Sequence, residues 1–203
     1  VWLVGARLWD AGAWLAPPNY RIDSLEVLAR VHLAADQGTS LLLDKTMARL
    51  GAPFGADWSA YPMPDLPIFL LLGAIDRLVG IPATGHIAML IADLLNALVF
   101  YACSRALGHR WQFAAGASLL FAFSRFNVGR GLSHYSLTLS FTVPAILLAA
   151  WLIGGSRHLL TRRRWQWACF LVAIATAMGT PYYGLMFGCL VLFAIGYALV
   201  KGL

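Results

Sequence analysis

Apolar residues run almost unbroken through the second half of the chain, whereas the first 85 residues interleave short apolar stripes with charges and prolines. The long runs predict membrane-spanning helices over His86 to Cys103 or slightly beyond, Trp111 to Phe123, Tyr135 to Ile153, Trp165 to Met178 and Leu185 to Val200. Several fall short of the roughly 20 residues that cross a bilayer perpendicularly, so their polar ends are expected to pack inside the protein.

The first half has helical punctuation of its own. Asp23 followed by Glu26 reads as a capping pair, Leu25, Leu28 and Ala35 mark an apolar stripe, Glu26 and Arg30 form an acid-before-base pair, and Gly38 stops the run. His32 falls near the stripe and is expected to pack there. A second helix is expected from Ser40 to Leu50, with Leu43, Met47 and Leu50 inward, Asp44, Lys45 and Arg49 wet, and Gly51-Ala52-Pro53 at its end. Both would lie along a membrane surface. The loop Pro53 to Pro67 is stiffened by Pro53, Pro62, Pro64 and Pro67. Ile68 to Val79 carries Asp76 and Arg77 and is read as a re-entrant or interfacial helix that returns to the outside at Pro82.

Composition narrows the class. With 60% apolar residues, 12% charged and a mean hydropathy of +0.71, the chain cannot present a water-soluble surface. The expected fold is all-α, a polytopic transmembrane helical bundle with a long extracytoplasmic loop carrying amphipathic juxtamembrane helices. Residues 1–85 would form the loop and 86–203 the platform, as one structural unit. The first Met is Met47 and no basic leader precedes Val1, so the chain is expected to be a fragment of a longer one. Cys103, Cys169 and Cys189 sit in apolar stretches as small hydrophobes, which disfavours disulfides or a cysteine metal site.

Charge adds a direction. All nine carboxylates lie between Asp10 and Asp93, and the 110 residues that follow hold nine Lys or Arg and no acid. The net charge of +6 therefore reflects membrane topology and not a nucleic-acid partner. Arg105 and Arg110 in one connection, and Arg157, Arg162, Arg163 and Arg164 in another, place those turns in the cytoplasm. Asn127 to His134, Thr180 to Gly184 and roughly Pro17 to Gly85 then face outside.

Tyr20-Arg-Ile-Asp23, Leu50-Gly-Ala-Pro-Phe-Gly55, Tyr61-Pro62, Phe121-Ala-Phe-Ser-Arg125, Arg130-Gly-Leu-Ser-His134 and Gly179-Thr-Pro-Tyr-Tyr183 are a motif series that resembles bacterial envelope glycosyltransferases of the GT-C type. The resemblance covers about Pro17 to Gly184. It implies residence in the bacterial cytoplasmic (inner) membrane and a polyprenyl-phosphate-linked sugar as donor. It also implies a first long extracytoplasmic loop bearing an acidic residue, with a first span lying before Val1. Other membrane subunits are compatible partners.

The residues offer matching chemistry. Transfer of a sugar from a lipid phosphate needs a carboxylate to take the acceptor proton and cations to stabilise the departing phosphate. Asp23, or failing that Asp57, is the expected base, and Asp65 is a further carboxylate in the substrate-binding set. Arg125, Arg130 and His134 are the phosphate candidates, and Tyr182 and Tyr183 join them as substrate-binding residues. A divalent cation, Mg or Mn, held by Asp57 and Asp65 is compatible with the spacing but not required by it.

Each has a plainer reading. Asp23 can be a helix N-cap, Asp57 a turn residue, Asp65 a helix start, Arg125 and Arg130 interfacial anchors, and His134 a satisfied polar group. Asp93 and Asn96 share one helix face inside a span, where carboxylates are costly. They would be structural, or central to a transporter or flippase for a lipid-linked saccharide. A non-catalytic membrane scaffold subunit is the third alternative. The Gly154-Gly155 pair and the Gly179, Gly184, Gly188 series suggest close helix packing. No Walker loop, His-Glu-x-x-His or Gly-x-Ser-x-Gly occurs, which disfavours ATP-driven transport and zinc proteolysis.

Overall fold

The computed structural model describes residues 7, 9–20, 22–47, 55–57, 65–155 and 162–202. It is about 82% helical, as the apolar runs require. In chain order the elements are α1 (Ile22–Gln37), the short strands β1 (Thr46–Met47) and β2 (Ala56–Asp57), α2 (Leu66–Val79), α3 (Ile81–Ala106), α4 (Trp111–Ala122), α5 (Arg125–Arg130), α6 (Tyr135–Thr138), α7 (Thr142–Gly155), α8 (Arg163–Met178) and α9 (Pro181–Val200). One-turn 3-10 helices occupy Ala11–Leu15, Gly38–Leu42 and Gly131–His134. Contacts divide the chain into one unit of Val1–Leu90 with Arg130–Tyr135 and another of Ile91–Gly129 with Ser136–Leu203.

In the first unit, α1 buries Val31, Leu33 and Ala34 and ends where Gly38 turns to a φ of +58°. Its Glu26 and Arg30 form the expected ion pair. α2 packs on it through Phe69, Leu72 and Gly73. A Cβ at Gly73 would stand 2.6 Å from the backbone of Ala34 and Ala35, so only glycine lets the two helices approach this closely. Arg77 Nε donates to the Ala35 carbonyl at the far end of the same contact. Asp65 caps α2 from a left-handed φ of 60°, and a proline in the first turn fixes the start.

Three expectations for this unit are corrected. The helix over Ser40 to Leu50 does not form. Asp44 accepts hydrogen bonds from the Thr46 amide (2.9 Å) and hydroxyl (2.6 Å), a local turn that competes with helix, and the chain enters an antiparallel pairing of Thr46 with Asp57 and Met47 with Ala56. Residues 48–50 lie outside the described residues, as does most of the Pro53 to Pro67 loop. Asp23 is inside the first turn of α1 and is not its cap, because the helix already begins at Ile22. His32 is half exposed, and its Nδ1 reaches Oδ2 of the buried Asp76 at 2.9 Å.

Among the described residues two helices, Ile81–Ala106 and Pro181–Val200, are long and apolar enough to cross a membrane, and the bent pair Trp111–Thr138 with Thr142–Gly155 would make a third. The remaining expected span is shorter: α8 has 16 residues. The uninterrupted helix from Tyr135 to Ile153 is corrected to two pieces meeting at 59°. Asn127 to His134 and Pro181 to Gly184, expected as connections, are helical.

Within the second unit, α7 and α9 form the largest contact. A Cβ at Gly154 would lie 3.3 Å from that of Ala194, so the expected close packing is realised there, whereas Gly188 has open space around it. Leu192, Phe193 and Leu199 of α9 are largely exposed, as lipid-facing residues would be.

Candidate functional site

The first unit brings together two stretches far apart in sequence. Ser24, fully buried in the first turn of α1, has its hydroxyl 3.0 Å from that of Ser133, across 109 residues of chain. Tyr135 anchors the second stretch from the other side. Its ring is buried edge-on against Phe69, and its hydroxyl donates to the Ala88 carbonyl at 3.0 Å. Leu132 is buried beside it, and Gly131 opens the 3-10 turn at a φ of +51°.

With the turn fixed on both sides, the neighbours of the serine pair are placed against each other. His134 Nδ1 lies 3.5 Å from Asp23 Oδ2, with the side chains 48% and 50% exposed. The buried Ser24 and half-buried Ser133 are thus the support, and the carboxylate and imidazole form an accessible pair. Such a pair is ionic only while the imidazole is protonated. It can accept a proton from a hydroxyl, or present a cation to a phosphate. Arg130 belongs to the same unit, four residues before His134 and half-buried.

The other sequence-predicted residues are dispersed. Asp57 is exposed on β2, opposite Thr46. Asp65 is buried at the start of α2, where its backbone carbonyl accepts from Ile68 and Phe69, which supports the plainer reading of a helix start. Arg125 is exposed at the beginning of α5, in the second unit. Tyr182 is exposed in the first turn of α9, whereas the Tyr183 hydroxyl donates to the Leu137 carbonyl at 2.7 Å and so holds the helix break together. Among the described residues no group of three or more His, Cys, Asp or Glu side chains converges to hold a metal ion. Asp57 and Asp65 belong to no such group.

Asn96 takes a structural role in the second unit. Wholly buried, it donates from Nδ2 to the Thr138 carbonyl at 2.8 Å, at the point where α6 ends and the 139–141 break begins. Ser140 donates to Asn127 Oδ1 at 3.0 Å, and Asn127 Nδ2 to the Phe121 carbonyl at 2.9 Å, so polar side chains stabilise the break throughout. Sequence reading passed over Ser24, Ser133 and Tyr135. The parallel order Asp23-Ser24 and Ser133-His134 was the signal available.

Comparison with known proteins finds no matching family, curated protein or solved structure.

Proposed function

We propose that the chain is part of a membrane glycosyltransferase of GT-C type that moves a sugar from a polyprenyl-phosphate donor to an acceptor hydroxyl on the extracytoplasmic side of a bacterial cytoplasmic membrane. The observation that supports this reading is the 3.5 Å approach of His134 to Asp23, with Arg130 in the same unit. Asp23 takes the proton of the acceptor hydroxyl as its oxygen bonds to the anomeric carbon. The bond from that carbon to the phosphate oxygen breaks, and polyprenyl phosphate leaves with the electron pair. His134, when protonated, and Arg130 stabilise the charge that gathers on the phosphate. No metal enters the scheme.

The test is release of polyprenyl phosphate from a radiolabelled polyprenyl-phosphate sugar by the purified chain in proteoliposomes with a panel of saccharide acceptors. Wild-type turnover that disappears in Asp23→Asn supports the reading. Equal turnover in wild type and Asp23→Asn removes Asp23 as the base.

One observation favours a second reading. The polar-lined break at residues 139–141 is the kind of interrupted helix found at sites inside transporters, and Asn96 sits on it. A flippase for a lipid-linked saccharide would move a fluorescent lipid-linked sugar between leaflets of these proteoliposomes without releasing polyprenyl phosphate.

A further inference from the structure

Among the described residues, Asp93 is the single acid within the helices that are long and apolar enough to cross a membrane, and the transfer scheme gives it no role. It stands near the middle of α3, with roughly 10 Å of helix between it and His86 at the nearer end of the apolar run. A carboxylate on one methylene cannot reach the headgroups from that depth, as the long stems of Lys and Arg can. Left against lipid, it is among the costliest groups a span can carry.

The face on which Asp93 lies is only partly covered. Ala92 and Asn96, on one side of it, are wholly buried, and the Asn96 amide is committed to the Thr138 carbonyl. On its other side Leu94 and Leu98 are 58% and 54% exposed. Asp93 sits at the boundary between them, half-buried and without a hydrogen-bond partner among the described residues. Ala97, one turn along, is also half-buried, and its small side chain lets a second helix come close.

No side chain of this kind of span supplies the opposite charge. Every Lys and Arg of the chain lies outside the expected membrane runs, so a second copy would bring to this face only another Asp93, and like charges oppose that pairing. A free divalent cation would need several oxygen ligands, and among the described residues no group of acids, histidines or cysteines gathers for one. The complement that remains is a cation fixed on a different helix.

We propose that the face of α3 around Asp93 docks a membrane-spanning helix of another protein, one that carries a Lys or Arg near its midpoint. That cation donates to the Asp93 carboxylate at mid-membrane, and the apolar flanks of the partner helix cover Leu94 and Leu98. The charge pair sets the depth at which the helices meet, and Ala97 sets how closely their backbones approach. The docking is independent of glycosyl transfer.

The test uses the full chain, donor-labelled on a C-terminal tag, in phosphatidylcholine vesicles. Acceptor-labelled Leu-Ala peptides that span the bilayer and carry Lys, Leu or Glu at the centre are added, and energy transfer measures association. Val1 is acetylated throughout, because its α-amino group is a positive charge of the chain that acts on Asp93. Wild type is expected to hold the Lys peptide about tenfold more tightly than the Leu peptide, the equivalent of roughly 1.4 kcal/mol. Asp93→Leu should remove the difference, and Asp93→Lys should pass the preference to the Glu peptide. Moving the Lys two turns towards one end of its peptide should weaken association to the Leu level. Should Asp93→Lys lose its helical circular dichroism, Asp93→Leu decides. Equal association of the Lys and Leu peptides with wild type overturns the proposal, as does a Lys preference that survives in Asp93→Leu or ignores the depth of the Lys. Asp93-dependent energy transfer between copies of the chain alone also overturns it, because the face would then belong to a second copy.

Discussion

His134 Nδ1 meets Asp23 Oδ2 at 3.5 Å because Ser24 and Ser133, one residue away on each side, are bonded across the same junction. If Asp23 is the base, Asp23→Asn should lower sugar transfer by about 10²–10⁴-fold, the usual contribution of a positioned proton acceptor. His134→Gln should also impair transfer, and the double variant should be scarcely worse than Asp23→Asn alone, since the two side chains act as a unit. Turnover in proteoliposomes measures all three. Losses that simply multiply would mean that the two residues act separately.

The crossing of α1 and α2 makes a steric prediction. Gly73→Val would push a β-branched side chain into the backbone of Ala34 and Ala35, 2.6 Å from the new Cβ, and overpacking of this kind costs about 1–3 kcal/mol. Gly188→Val is the matched control, because nothing lies within 4 Å of its Cβ position. Thermal unfolding in detergent should show a clear drop in Tm for the first and little change for the second. Equal shifts would mean that the Gly73 approach does not govern the stability of the unit.

These residues also show what the sequence could disclose. α1, its Glu26–Arg30 pair and its Gly38 stop were legible because each depends on neighbours within one or two turns. The two long apolar helices were legible through their unbroken apolar runs, although each extends beyond the run that announced it. The junction of Ser24 with Ser133 was not, since nothing local says which distant segment meets the first turn of α1. The supposed helix over Ser40 to Leu50 failed for a different reason: Leu43, Met47 and Leu50 satisfy a helical period, but the Asp44 carboxylate captures the Thr46 amide first. The broken helix at residues 139–141 escaped notice because the residues that stabilise it, Asn96 and Asn127, lie on other segments. Of the candidate site, the residue types were readable and the pairing of Asp23 with His134 was not.

Asp44 offers a pH test of the β1 turn. The Thr46 hydroxyl and then its amide hold the Asp44 carboxyl below its ordinary value of 3.8, against a smaller opposing effect of the Asp57 charge. A depressed carboxylate contributes stability that is fully present above the unfolded value and is lost as pH falls through the folded one. The Thr46 amide resonance should therefore titrate with a midpoint below 3.8, and Thr46→Val should move that of the Asp44 carboxyl upward. An unchanged Asp44 midpoint in Thr46→Val would show that the hydroxyl does not hold the turn.

Asn96 and Asp93 share a helix face, and the structure separates their roles. Asn96 is wholly buried and supplies a donor to the Thr138 carbonyl where α6 ends, whereas Asp93 is only half-buried and has no hydrogen-bond partner among the described residues. Replacing Asn96 by Leu removes that donor at a broken helix and should cost about 1–3 kcal/mol, read as a lower Tm in detergent. Asp93→Asn keeps the shape, breaks no such bond and should change Tm little. If the site at Asp23 transfers sugar, Asp93→Asn should leave polyprenyl-phosphate release near the wild-type rate. Normal release would separate Asp93 from the transfer chemistry. Loss of lipid-linked sugar movement between leaflets, with no release detected in wild type, would instead place the function at the helix break and favour the flippase.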